Sequence, residues 1–100
     1  MPNRRILVVD DEQGLRTMLA ANLELEGFDV VEAESAERAL EVAKDSDFEL
    51  VITDIRMPGM NGVELFRALR AMCKRMPVVL MTGFALEGLA LELDRRGHRS

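Results

Sequence analysis

Short apolar runs alternate with segments of helical periodicity along this chain, and the alternation constrains its fold more than any other feature. Most of the runs are unbroken and rich in β-branched residues, which is typical of strands buried on both faces of a parallel sheet. The predicted strands are residues 6–9, 28–33, 48–53 and 78–82. The second run is more polar, as expected for an edge strand. The order βαβαβαβα predicts a parallel sheet with right-handed crossovers and helices on both faces.

Signals for helix ends lie between the predicted strands. Gly27 is a stop signal for the first helix, Ser35 is a cap for the second, and Asn61 is a cap for the third. A fourth helix is predicted around residues 86–93, and Gly97 can close it at its C-terminus. Each of the first three helical segments therefore connects two strands, as the parallel sheet requires.

The composition indicates one small domain, residues 1–100. A chain of 100 residues can bury a single core, and 48% hydrophobic residues exclude general disorder. The net charge of −5 gives no attraction to nucleic acid, so we expect none to bind directly. No apolar run approaches the length of a membrane span, which predicts no membrane association and a cytoplasmic location. The one cysteine, Cys73, excludes an internal disulfide, and its place in the third helical pattern predicts packing in the core.

Three carboxylates follow two of the predicted strands. Asp10 and Asp11 come directly after residues 6–9, and Asp54 comes directly after residues 48–53. Ligands of parallel sheets bind outside the carboxyl ends of the strands. If the two strands are neighbours, at a spacing of roughly 5 Å, three negative groups converge on one small volume. Such crowding is unfavourable without a cation or a bound proton, and Mg²⁺ is the natural occupant of an all-oxygen site.

Three motifs, taken together, resemble the receiver domain of two-component response regulators. They are residues 7–12, 54–62 and 79–83, which stand in the family's order and at its spacing, and the resemblance spans residues 5 to about 97. The resemblance implies a flavodoxin-like, doubly wound parallel sheet with strand order 2-1-3-4, to which the family adds a fifth strand.

The resemblance also implies a site and a partner. Asp54 would accept a phosphoryl group from a sensor histidine kinase or a phosphotransfer protein. Asp10, Asp11, Asp54 and the backbone carbonyl of Arg56 would hold Mg²⁺, and Thr82 would be the switch hydroxyl. Such a domain is a phosphorylated signalling domain and not an enzyme, with at most weak self-dephosphorylation.

The sequence departs from the family after the fourth helix. The usual fifth strand, Lys-Pro pair and fifth helix are missing, which predicts a (βα)4 fold. The chain has only two lysines, Lys44 in the second helix and Lys74 before the fourth strand, and neither is placed to reach the carboxylates. A fourth strand left as an apolar edge predicts a homodimer through the strand-four side.

The sequence is compatible with two functions. Intact Asp10, Asp11, Asp54 and Thr82 favour a phosphorylatable switch, whereas the missing lysine favours a pseudo-receiver, an interaction and dimerisation module that works without phosphate. A phosphatase of the haloacid dehalogenase type is discounted because it needs Asp-x-Asp on its first strand, and this chain has two adjacent aspartates there.

Overall fold

A computed structural model describes residues 4–81, which contain four strands and three helices in the predicted alternating order. The elements are β1 (Arg5–Val9), α1 (Gln13–Leu25), β2 (Asp29–Ala33), α2 (Ala36–Asp45), β3 (Leu50–Asp54), α3 (Gly62–Ala71) and β4 (Val78–Met81). The predicted fourth helix, Gly97 and Thr82 lie outside the described residues. None of the helices within residues 4–81 has both the length and the apolar character that a membrane span requires.

The four strands form one parallel sheet in the order β2-β1-β3-β4, which confirms the order expected from the resemblance. It also places the more polar β2 at an edge, as predicted. Val9 at the end of β1 is level with Ala33 on one side and Thr53 on the other. The carboxyl ends of three strands therefore meet at one edge of the sheet.

Successive side chains of each strand pack into different cores on the two faces of the sheet. Leu7, Val9 and Val51 pack with α2 and α3. Ile6 and Val8 point to the opposite face and pack with the apolar side of α1. Because helices cover both faces, the central strands read as continuous apolar runs in the sequence.

The predicted helix caps are present. The Ser35 hydroxyl accepts a hydrogen bond from the Arg38 N–H over 3.0 Å. The Asn61 side chain accepts from the Glu64 N–H, and the Glu64 carboxylate accepts from the Asn61 N–H, which completes a capping box. Both caps hold the start of a helix at the edge where the strands end.

The prediction for Cys73 was wrong, because its side chain is exposed and lies beyond the end of α3. The helix ends at Ala71 with Met72 as its C-cap, and Cys73 takes a φ of 62° in the left-handed region. Its N–H donates to the Arg70 carbonyl, while the Lys74 N–H donates to the Leu69 carbonyl. This pair of bonds is a Schellman motif, whose left-handed position is normally a glycine.

Candidate functional site

The structure brings the three predicted carboxylates together at the ends of β1 and β3. Asp10, Asp11 and Asp54 each offer one carboxylate oxygen, and these three oxygens all lie within 4.8 Å of one another. Asp10 is buried at 1% exposure, Asp54 is half-buried, and Asp11 is exposed. The cluster therefore has a dry inner side and an open outer side, from which an ion can enter.

Asp10 carries a buried carboxylate oxygen with no partner. Its Oδ1 accepts the Glu12 N–H over 2.9 Å, but within residues 4–81 no donor reaches Oδ2. Burial raises the pKa of Asp10 above the usual 3.8, and repulsion from Asp54 and Asp11 adds to this, although the Glu12 hydrogen bond opposes it. An orphaned carboxylate oxygen beside two others is the donor set that a hard divalent cation binds, so these residues fit Mg²⁺.

Arg16 holds the main chain of Asp10, a contact that the sequence analysis missed. Its guanidinium donates to the Asp10 carbonyl over 2.7 Å and to the Glu32 carboxylate over 3.0 Å. The Asp10 N–H donates to the Ala33 carbonyl over 3.1 Å. The available signal was a cation in the first turns of α1, close in sequence to the acidic pair. These bonds fix residue 10 between two strands and a helix.

A loop of residues 55–61 follows Asp54 and contains the predicted carbonyl ligand, Arg56. The Arg56 N–H donates to Asp54 Oδ1 over 3.2 Å. The Ile55 N–H donates to the Met81 carbonyl over 2.7 Å, so the loop begins beside the end of β4. Thr82, the predicted switch hydroxyl, is the next residue and lies outside the described part.

The same loop forms an open depression of about 450 Å³. It is lined by Ile55, Arg56, Met57, Pro58 and Asn61. Its wall is therefore mainly apolar, with one cationic residue, and it is open to solvent.

Both lysines lie far from the carboxylates, as predicted. Lys74 donates to the Asp47 carboxylate over 3.1 Å at the amino ends of the strands. Lys44 is in the last turn of α2, which runs back toward the same end of the sheet. The cluster therefore receives no lysine from residues 4–81.

The model of the protein family described as "Response regulator receiver domain" matches residues 6–97 of the chain. The chain belongs to this family. Receiver domains are signalling domains, and the match covers the two acidic strand ends and the loop after Asp54 in one alignment.

Individual relatives support the same assignment. The response regulator protein FleR of Pseudomonas aeruginosa is 40% identical over 93 residues, which are 93% of this receiver domain and 20% of FleR. Sporulation initiation phosphotransferase F of Bacillus subtilis is 31% identical over 84 residues, which are 84% of this chain and 68% of that protein. The chain spans a fifth to a third of the length of the first curated relatives that it matches.

A solved structure with a similar fold is the response regulator TrrA of Thermotoga maritima, in complex with Mg²⁺ and BeF. It is 40% identical, with a TM-score of 0.75, and the match covers 79% of this chain and 69% of TrrA. The chemotaxis protein CheY4 of Vibrio cholerae is 31% identical with the same TM-score, over 79% of this chain and 68% of that chain.

Replacing Asp10 with asparagine is expected to stabilise the metal-free receiver domain by about 1 kcal/mol at neutral pH. The amide keeps the oxygen that accepts the Glu12 N–H, and it places donors beside Asp11 and Asp54 instead of a third negative charge. Urea unfolding in the presence of a chelator measures the gain.

The dependence on pH checks the cause. Because the folded-state pKa of Asp10 is raised, ionising Asp10 costs folding free energy, and this penalty grows as pH rises through that pKa. The advantage of Asp10→Asn should therefore vanish below the ordinary pKa of 3.8. Asp11→Asn is the matched control. Because Asp11 is exposed, this variant should gain less folding stability than Asp10→Asn. An equal gain in both variants would contradict burial as the main cause.

Proposed function

We propose that this receiver domain is a phosphoacceptor switch in a two-component or phosphorelay system. Asp54 accepts the phosphoryl group, and Asp10, Asp11, Asp54 and the Arg56 carbonyl hold Mg²⁺. The observation that carries the proposal is the cluster of three carboxylates with one buried, unpartnered oxygen on Asp10. Such a cluster is unfavourable alone and favourable around a cation.

The half-buried Asp54 is the nucleophile in the proposed reaction. One of its carboxylate oxygens attacks the phosphorus of a phosphohistidine, an oxygen–phosphorus bond forms, and the phosphorus–nitrogen bond breaks as the imidazole leaves with its electron pair. The Arg56 N–H bond to Asp54 Oδ1 orients the carboxylate for this attack. When held by Asp10, Asp11, Asp54 and the Arg56 carbonyl, Mg²⁺ would supply positive charge to offset the negative charge of the carboxylates and the phosphoryl oxygens.

The phosphoryl donor in this proposal is a sensor histidine kinase or a phosphotransfer protein. Support comes from the family and from relatives whose names include a sporulation phosphotransferase and a sensor kinase/phosphatase. Thr82 is proposed to donate a hydrogen bond from its hydroxyl to the phosphoryl group, because it follows Met81 in the sequence, and Met81 is level with Asp54 in the sheet. We place the domain in the cytoplasm, where its single cysteine stays reduced.

Beryllofluoride, a phosphoryl mimic, tests the proposal without a kinase. We expect the amide resonances of residues 54–62 to shift when beryllofluoride and Mg²⁺ are added together, and not with beryllofluoride alone. A spectrum that does not change when beryllofluoride and Mg²⁺ are added together would contradict the phosphoacceptor function and would favour the pseudo-receiver alternative.

We also propose that the chain forms a homodimer through the side of β4. In the part of the chain that the structure describes, β4 is hydrogen-bonded to β3 and forms an edge of the sheet. Its residues Val78, Val79 and Leu80 are apolar and only half-buried, and Pro77 blunts only the start of the strand. Apolar edges of this kind pair with other chains, and a second copy offers a matching edge.

Light scattering at several concentrations checks this expectation. A dimer should give twice the chain mass at high concentration and should dissociate on dilution. A folded chain that stays monomeric across the whole range would contradict the homodimer.

A further inference from the structure

We infer that Glu37 is a positioning residue for the phosphoacceptor site, because it holds the tip of the loop that follows Asp54. Glu37 lies in the first turn of α2, which supplies none of the proposed ligands. The inference rests on the function proposed above, since the loop contains the Arg56 carbonyl. Glu37 is 23 residues from its contact in the sequence, so only the fold brings the two together.

The base of the loop is closed without Glu37. The Gly62 N–H donates to the Ile55 carbonyl over 2.9 Å, which joins the two ends of the loop. The Met57 side chain is buried in the core under α2 and α3, and Asn61 caps the start of α3. These contacts fix the entry and the exit of the loop and leave its tip, residues 58–60, to be held by other contacts.

The Glu37 carboxylate supplies a contact to the tip. The Met60 N–H donates to Glu37 Oε2 over 3.2 Å. The same oxygen lies against Gly59, where an added Cβ would come within 3.0 Å of it. Gly59 has a φ of 76°, so a side chain there would also be strained. The carboxylate thus packs against two successive residues of the tip, through a charge-assisted hydrogen bond.

The helix that carries Glu37 is itself well anchored. Ser35 caps the helix, and Ala36, Ala39 and Ala43 are fully buried in the core. A contact from a rigid element restricts the conformations that the loop can adopt. Without this contact, fewer molecules would hold the loop ready for a cation, and the apparent affinity for Mg²⁺ would fall in proportion.

The test compares Glu37→Ala with Glu41→Ala in the full chain. Glu41 is a matched control, because it lies one turn further along α2 and pairs with Arg38 instead of the loop. Its replacement by alanine removes the same charge as Glu37→Ala. We expect Glu37→Ala to weaken Mg²⁺ binding about fivefold in isothermal titration, and Glu41→Ala to leave it unchanged. Glu37→Gln keeps an acceptor oxygen and should restore binding to within about twofold of wild type.

A second readout does not depend on the metal. Without Mg²⁺, the Met60 amide should exchange its hydrogen faster in Glu37→Ala than in wild type or Glu41→Ala, because it loses its acceptor. A Glu37→Ala variant with unchanged exchange would overturn the inference.

The remaining outcomes separate this inference from the proposed function. Equal weakening of Mg²⁺ binding by both alanine variants would mean that charge alone acts, and would overturn the positioning role. If wild type binds Mg²⁺ and Glu37→Ala binds it equally well, the inference fails and the proposed function stands. A wild-type chain that binds no Mg²⁺ would overturn the metal site and the inference together.

Discussion

Replacing Asp54 with asparagine is expected to lower phosphoryl acceptance by about two orders of magnitude or more. The amide has nearly the shape of the carboxylate and can still accept the Arg56 N–H, so the loop should stay in place. An amide oxygen is a poor nucleophile, however, and the variant also removes one of the three charges that the cluster presents to a cation. Incubation with phosphoramidate and Mg²⁺, followed by electrophoresis that separates phosphorylated from unmodified chains, measures the loss.

Asp45→Asn is a suitable control for this variant. Asp45 ends α2, is exposed, and lies toward the opposite end of the sheet from Asp54. The Asp45→Asn variant should be phosphorylated at the same rate as the wild type. If Asp54→Asn were modified as fast as the wild type, the acceptor would be another residue and the assignment of Asp54 would be wrong.

Replacing Gly62 with alanine is expected to destabilise the domain by about 2 kcal/mol. A Cβ on Gly62 would overlap the backbone carbonyl oxygen of Asp54 and would lie 3.0 Å from the Cα of Ile55. Neither atom belongs to a flexible side chain, so the end of β3 or the start of α3 must move. The change also displaces Asp54, and phosphoryl acceptance should fall with stability.

Gly14→Ala is a comparison variant for which the expected change in folding stability has the opposite sign. Gly14 is also in the first turn of a helix, but its added Cβ would meet only the flexible end of the Glu12 side chain, at 3.4 Å. Alanine is the better helix former by about 1 kcal/mol, so this variant should be slightly more stable than wild type. Urea unfolding compares the two variants. A gain in stability for Gly62→Ala would contradict the close approach of α3 to the end of β3.

The strands and two of the helix starts could be predicted because each has a local signal, and the acidic cluster could be predicted once two of those strands were taken as neighbours. Apolar runs marked the strands, and Ser35 and Asn61 marked two helix starts by their side chains. The convergence of Asp10 and Asp54 followed from the general behaviour of parallel strands, given that β1 and β3 are neighbours. The strand order itself came from the resemblance to the family and not from the pattern of residues.

The ends of α1 and α3 show why one prediction was right and the other wrong. Both helices end in a Schellman motif with a left-handed residue. In α1 that residue is Gly27, which the sequence marks as a stop. In α3 it is Cys73, a residue with no preference for this conformation, so the apolar pattern predicts a helix that extends two residues past its end at Ala71.

The contacts of Arg16 and Glu37 could not be predicted from the sequence. Arg16 reaches a backbone carbonyl six residues away and a carboxylate on β2, and Glu37 reaches a backbone N–H 23 residues away. Such contacts depend on how the helices pack against the sheet. No local preference of either residue encodes them.

The central claim is that Asp54 accepts a phosphoryl group in a site that needs Mg²⁺. Tandem mass spectrometry of the chain after incubation with phosphoramidate tests it most directly, because it locates the modified residue. The account predicts one added phosphoryl group, on the peptide that contains Asp54, in the presence of Mg²⁺ and not in the presence of a chelator. A phosphoryl group on another residue, or none at all, would contradict it.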